Sequence, residues 1–177
     1  MIINTLKAYI AVVLTTMAIG FAQTAIAADS GNISGRVVVN NVKEDVLPIA
    51  EANGHVLLLE EFQGTNQDTG GNGYFEGARV DNKDVADLYQ GNGPHRGYIT
   101  LSKGADEVVA KWSGEVSTTM SKDGKPLTSF KGTWDYIAGT GHYAGINGSG
   151  RYSGHFTSKT AYVVDWKGRY TLPVAAK

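Results

Sequence analysis

A two-residue alternation repeated over four successive segments constrains this chain most. From Val108 to Met120 the even positions are Val108, Ala110, Trp112, Gly114, Val116, Thr118 and Met120, while Lys111, Ser113, Glu115, Ser117 and Thr119 fall between them. Successive side chains of a strand point to opposite faces, so this pattern predicts a strand with one apolar and one solvated face. Ser121-Lys122-Asp123-Gly124-Lys125 supplies an Asp-Gly turn, which returns the chain antiparallel. Phe130, Gly132, Trp134 and Tyr136 then share one face, as do Gly150, Tyr152, Gly154 and Phe156, and finally Tyr162, Val164, Trp166, Gly168, Tyr170 and Leu172. Four strands in meander order, each with one aromatic face, must hide that face by closing on themselves or by packing as two sheets.

The N-terminal half is less regular. Asn32 to Asn41, His55 to Gln63, Tyr74 to Asp81 and Gly97 to Ser102 read as strands, and Gly64 to Gly73 reads as a long polar loop. Val42 to Ala50 reads as extended chain or a short connection, and Lys83 to Tyr89 as one helical turn or an edge strand. Glycine is abundant, 23 of 177 residues, with only 4 prolines. It recurs beside tryptophan on the inner faces, where it lets a sheet coil and leaves room for large rings. The expected fold is all-β, a single antiparallel closed barrel of about eight strands, with a β-sandwich as the alternative.

The first 27 residues read as a cleaved signal peptide. Lys7 precedes the apolar stretch Ala8–Ala22, and Ala25-Ile26-Ala27 fits a small-x-small cleavage site. The stretch is shorter than the roughly 20 residues of a spanning helix. The expectation is a barrel domain over residues 28–177, periplasmic or secreted, with no membrane span in the mature chain. The whole chain carries 16 Lys+Arg against 17 Asp+Glu. That balance argues against nucleic acid as a partner. With no cysteine, disulfides, thiolate nucleophiles and Cys-ligated metal sites are excluded.

Motifs for chemistry are few. The glycines between Gly139 and Gly150 precede another alternating strand, not the helix that a dinucleotide fingerprint requires. His55, His95, His142 and His155 lack metal-binding spacing, so no metal site is expected; His95 and His142 read as loop residues and His155 as solvated. No G-x-S-x-G nucleophile elbow occurs. Glu60 is the candidate catalytic residue. It shares parity with Val56, Leu58 and Phe62, and a carboxyl group in an apolar interior has a raised pKa suited to general acid or base work. Its other placement is at the barrel rim, in water or paired with Arg79. Glu76 has a weaker form of the same argument. Tyr98, Trp112, Trp134, Tyr136, Tyr152 and Trp166 are the candidate ligand-binding residues, because rings that line an open barrel would favour an apolar or aromatic ligand.

The segment from Gly132 to Gly154, G-T-W-D-Y-x-x-G-T-G-H-Y-x-G-I-x-G-x-G-x-Y-x-G, resembles the glycine- and aromatic-rich segment of allene-oxide-cyclase-like and dirigent-like barrel proteins, and of related exported bacterial proteins. The resemblance covers roughly residues 97 to 172. It implies an eight-stranded antiparallel barrel with a hydrophobic cavity, often in oligomers, acting on reactive small molecules without a cofactor. None of that family's catalytic acids aligns with this chain. Three readings follow: an exported barrel binding a small hydrophobic or aromatic molecule, a cofactor-free isomerase or cyclase using Glu60 with Tyr74 or Tyr136, or a structural envelope or matrix protein. An edge strand of the N-terminal half would serve a homo-oligomer.

Overall fold

Alternation in the sequence becomes eight antiparallel strands in the computed structural model, which describes residues 29–49 and 53–174. They are β1 (Ser30–Pro48), β2 (His55–Asp68), β3 (Arg79–Tyr89), β4 (Gly93–Lys103), β5 (Asp106–Met120), β6 (Pro126–Thr140), β7 (Asn147–Phe156) and β8 (Ala161–Thr171). Each pairs with its chain neighbour, and β8 returns to β1 through eleven register partners from Ser30↔Thr171 to Asn40↔Ala161. The sheet is therefore a closed meander barrel, not a sandwich. Closure satisfies both edges of nearly every strand, which a two-sheet arrangement of the same strands leaves open.

Packing follows the parity of the sequence. Ile33, Val37 and Val39 of β1, Phe62 of β2, Val80 of β3, Leu101 of β4, Val108, Ala110, Trp112 and Val116 of β5, Phe130 and Trp134 of β6, and Tyr162 of β8 are all buried inside. Two register shifts interrupt the ladders. One lies between Asn41 and Lys43 of β1, the other opposite Val109 and Ala110 of β5. The extra residues, Val42 and Ile137, are turned out to solvent, as a bulge allows.

The N-terminal half is more regular than its sequence suggests. β2 runs on to Asp68, so only the end of the Gly64–Gly73 stretch is a connection. Tyr74 to Gly77 forms a turn, and the strand that follows takes in the whole of Lys83–Tyr89. Val42–Pro48 belongs to β1, while Ala50 lies outside the described residues. The expected signal peptide, residues 1–27, also lies outside them. Among the described residues no helix is long and apolar enough to cross a membrane.

The two ends of the barrel differ. At one end the β2–β3 connection folds back under the strands, burying Tyr74, Phe75 and Ala78. Tyr74 stacks edge-on against Phe75 and Tyr143 at 5.1 and 5.3 Å, and its hydroxyl lies 2.8 Å from that of Tyr136. Asn66 ties the plug in place: its Nδ2 donates to the Phe75 carbonyl (3.0 Å) while its Oδ1 accepts from Trp166 Nε1 (2.9 Å). The β3–β4, β5–β6 and β7–β8 turns ring the other end.

Candidate functional site

Above the plug the barrel encloses a cavity of about 890 Å³, whose lining includes Gly91, Lys125, Thr157 and Lys159 from the turns at the unplugged end. The sequence explains why space remains inside. On several strands a large ring lies across a glycine of the neighbouring strand instead of pointing at the barrel axis. Tyr152 is one such ring. A Cβ on Gly132 or Gly114 would sit 2.6 or 2.5 Å from its hydroxyl oxygen, so both positions must be glycine for the phenol to lie flat. Trp134 lies over Gly150 and Gly168 in the same way, and Trp112 over Gly97. The rings cover the walls and leave the axis open.

Several of the flat rings find partners for their polar atoms, whereas Trp134 Nε1 is buried without one among the described residues. Trp112 Nε1 donates to Asn82 Oδ1 (2.9 Å), and Asn82 Nδ2 donates to the Tyr162 hydroxyl (3.0 Å). Tyr152 reaches His95 Nε2 at 3.1 Å. The other ring nitrogen of His95, Nδ1, lies 3.5 Å from Asp84 Oδ2. Asp84 and Glu60 are direct cross-strand partners on β3 and β2, and both are only 8% exposed. One wall therefore carries Glu60, Asp84, His95 and Tyr152 in succession over four different strands.

Glu60 is positioned by the parity that marked it. It is buried inside and not at the rim, and Arg79 pairs instead with Asp81. Its Oε1 accepts from Asn41 Nδ2 at 3.2 Å. Burial, with the neighbouring charges of Asp84 and Glu44, pushes its carboxyl up from 4.5 to about 7, and the Asn41 hydrogen bond only partly opposes this. At neutral pH this group sits near half ionisation. Burial also raises the Tyr152 and Tyr162 phenols, with Asp84 contributing to both.

Of the six expected ring residues, Trp112, Trp134, Tyr136, Tyr152 and Trp166 line the cavity. Tyr98 does not. His95, Gly97, Ile99 and Leu101 take the inward positions of β4, which turns Tyr98 outwards, 50% exposed. Glu76 lies in the plug turn, accepting the Asp68 N–H, and does not face the cavity. His95, expected in a loop, is an inward residue of β4, whereas His155 is exposed as its parity indicated. Sequence reasoning missed Asp84 and Asn82. Their signal was the alternation Val80, Asn82, Asp84, Ala86, Leu88, obscured because Lys83–Tyr89 reads equally as a helical turn. Among the described residues no group of three or more acidic, His or Cys side chains is arranged to hold a metal ion.

No family model and no curated protein matches the chain. Among solved structures it is similar to a pterocarpan synthase dirigent protein, at 10% sequence identity and a TM-score of 0.45, over 94% of this chain and 100% of that one. The closed eight-stranded antiparallel barrel is itself the fold that the resemblance of Gly132–Gly154 implies.

Proposed function

We propose that this chain is an exported small β-barrel that binds a small hydrophobic or aromatic molecule in its interior. The observation that carries the reading is the cavity itself: about 890 Å³, ring-lined, plugged below and framed by turns above. That volume falls within the range of small-molecule sites, which are typically apolar with a few converging polar groups. A structural envelope or matrix role needs no such space, and the open interior counts against it. Tryptophan fluorescence of the chain from Ala28 should be quenched by a subset of neutral aromatic compounds, because Trp112, Trp134 and Trp166 line the space. The same compounds should raise the thermal midpoint. If no member of a broad panel does either, the binding reading is lost.

A second reading is favoured by one specific observation. Glu60, with a pKa near 7 inside the cavity, is matched to proton transfer at neutral pH. On this reading the barrel is a cofactor-free isomerase or cyclase, with Glu60 as general acid or base. Replacing Glu60 by Gln keeps the shape and removes the proton chemistry. Turnover of a bound candidate substrate should fall at least a hundredfold with affinity little changed, and unchanged turnover would end the idea.

Export is read from the first 27 residues, and N-terminal sequencing of protein recovered outside the cytoplasm should begin at Ala28. Association of copies is supported by the upper part of β1. Beyond Asn40 it has no register partner on β8, and Leu47, Leu59 and Val85 are exposed beside it. Sedimentation at rising protein concentration should then show a homo-oligomer, and a monomer throughout would rule it out.

A further inference from the structure

The buried polar side chains of the described residues are Glu60, Asn66, Asn82, Asp84 and His95. This set contains two carboxyl groups and no Lys or Arg. Asn66 and Asn82 each use both the nitrogen and the oxygen of the amide on tryptophan, tyrosine or backbone partners. The acids are less well served. Among the described residues Glu60 has one hydrogen bond, from Asn41, and Asp84 Oδ1 is buried without a hydrogen-bond partner. Burying carboxylates beside each other without cationic partners is costly, so either protons or a cation must offset their charge. His95 faces one oxygen of Asp84, and Lys125 and Lys159 are exposed at the turns above the cavity.

Beside the acids, around His95, stands a cluster of rings. Trp112, Phe130 and Tyr152 surround His95, with centroids 4.8, 5.5 and 6.1 Å from it, and Trp112 and Tyr152 meet edge to face at 5.8 Å. Ring faces attract cations by their quadrupoles, most strongly where water is excluded. Carboxylates and neighbouring aromatic rings are the two groups that together recognise an organic ammonium ion.

We infer that the cavity selects organic cations, an aromatic or alkyl ammonium whose charged head lies at Glu60 and Asp84, beside the Trp112–Phe130–Tyr152 cluster. This inference rests on the proposed binding function and gives its ligand a charge. It also implies a pH dependence. Glu60 faces Asn41 and Glu44 of β1, Asp84 of β3 and Tyr162 of β8, with His95 of β4 and Tyr152 of β7 beyond Asp84. A cation competes with the proton on Glu60, so its affinity rises as pH climbs through 7.

The test compares benzyltrimethylammonium, which does not titrate, with neopentylbenzene, its uncharged carbon isostere, by quenching of tryptophan fluorescence. The cation should bind at least tenfold more tightly at pH 8, and its affinity should fall several-fold at pH 5.5 while the isostere's stays flat. Asp84→Asn and Glu60→Gln should each erase most of the preference without weakening the isostere. The pH series on the unaltered chain decides the matter if either variant fails to fold. Equal binding of the pair, or tighter binding of the isostere, overturns the inference and leaves the apolar-ligand function standing. Failure of the cation together with the whole neutral panel removes both.

Discussion

Glu60 shows how much one side chain can cost and what the cost implies. Folded, it keeps its proton up to about pH 7, against an ordinary value of 4.5. Between those values the folded chain binds more protons than the unfolded one, so this group makes stability fall as pH rises. The gap corresponds to on the order of 3 kcal/mol at full ionisation. Glu60→Gln should therefore be more stable than the parent chain at pH 8, by about 1–3 kcal/mol in urea denaturation, with the difference vanishing near pH 4.5. A less stable variant at pH 8 would mean that the carboxylate is held by a favourable partner. Asn82 works in the opposite sense. It accepts from Trp112 and donates to Tyr162, so Asn82→Ala strands a buried indole N–H and opens a void. A loss of about 2–4 kcal/mol is expected, read from the denaturation midpoint.

Strands and their pairings explain why glycine is so frequent, and two glycines separate its two uses. Gly132 lies in β6, where an added Cβ would come within 2.0 Å of the Ser113 carbonyl oxygen and 2.6 Å of the Tyr152 hydroxyl. Gly124 lies in the β5–β6 turn at φ 72°, with open space around it. Gly132→Ala should cost about 3 kcal/mol or more, because backbone must move to relieve the clash. Gly124→Ala should cost about 1–2 kcal/mol, the penalty of a left-handed conformation alone. Denaturant titration of both variants checks the order. The element scale is also where the sequence was most and least legible. Strands β5 to β8 were visible because lysine, serine and threonine alternate with rings. β3 was not, since its inward positions include Asn82 and Asp84, and polar residues inside blur the alternation. Tyr98 stands outside the barrel for a different reason: small Gly97 occupies the inward position beneath Trp112, leaving the larger tyrosine exposed.

For the whole molecule, the barrel divides into an end that provides stability and an end that leaves room for a ligand. Tyr74 packs against Phe75, Tyr143 and Tyr170 in the plug and does not line the cavity. Tyr74→Ala should lower stability by about 3–5 kcal/mol, the usual cost of deleting a buried ring. Affinity for any aromatic probe that binds the parent chain should change less than about threefold, measured below the variant's unfolding range. A large loss of affinity would show that the plug shapes the cavity after all.

The sequence by itself determined the class of fold, because strand parity is a local property and each apolar face had to be buried. It also placed five of the six rings and the β5–β6 hairpin, and offered Glu60 an inward or a rim position, all consequences of counting by twos. Closure over a sandwich was decided in three dimensions, by the pairing of β1 with β8 across more than a hundred residues of chain. So was the alignment of Glu60, Asp84, His95 and Tyr152 on one wall, which depends on the registers between β2, β3 and β4 and on the approach of Tyr152 from β7. Whether the interior is filled or open depended on where the rings lie. Trp112, Trp134, Tyr152 and Trp166 each lie across a glycine of another strand, and no pattern within a single strand reveals that contact.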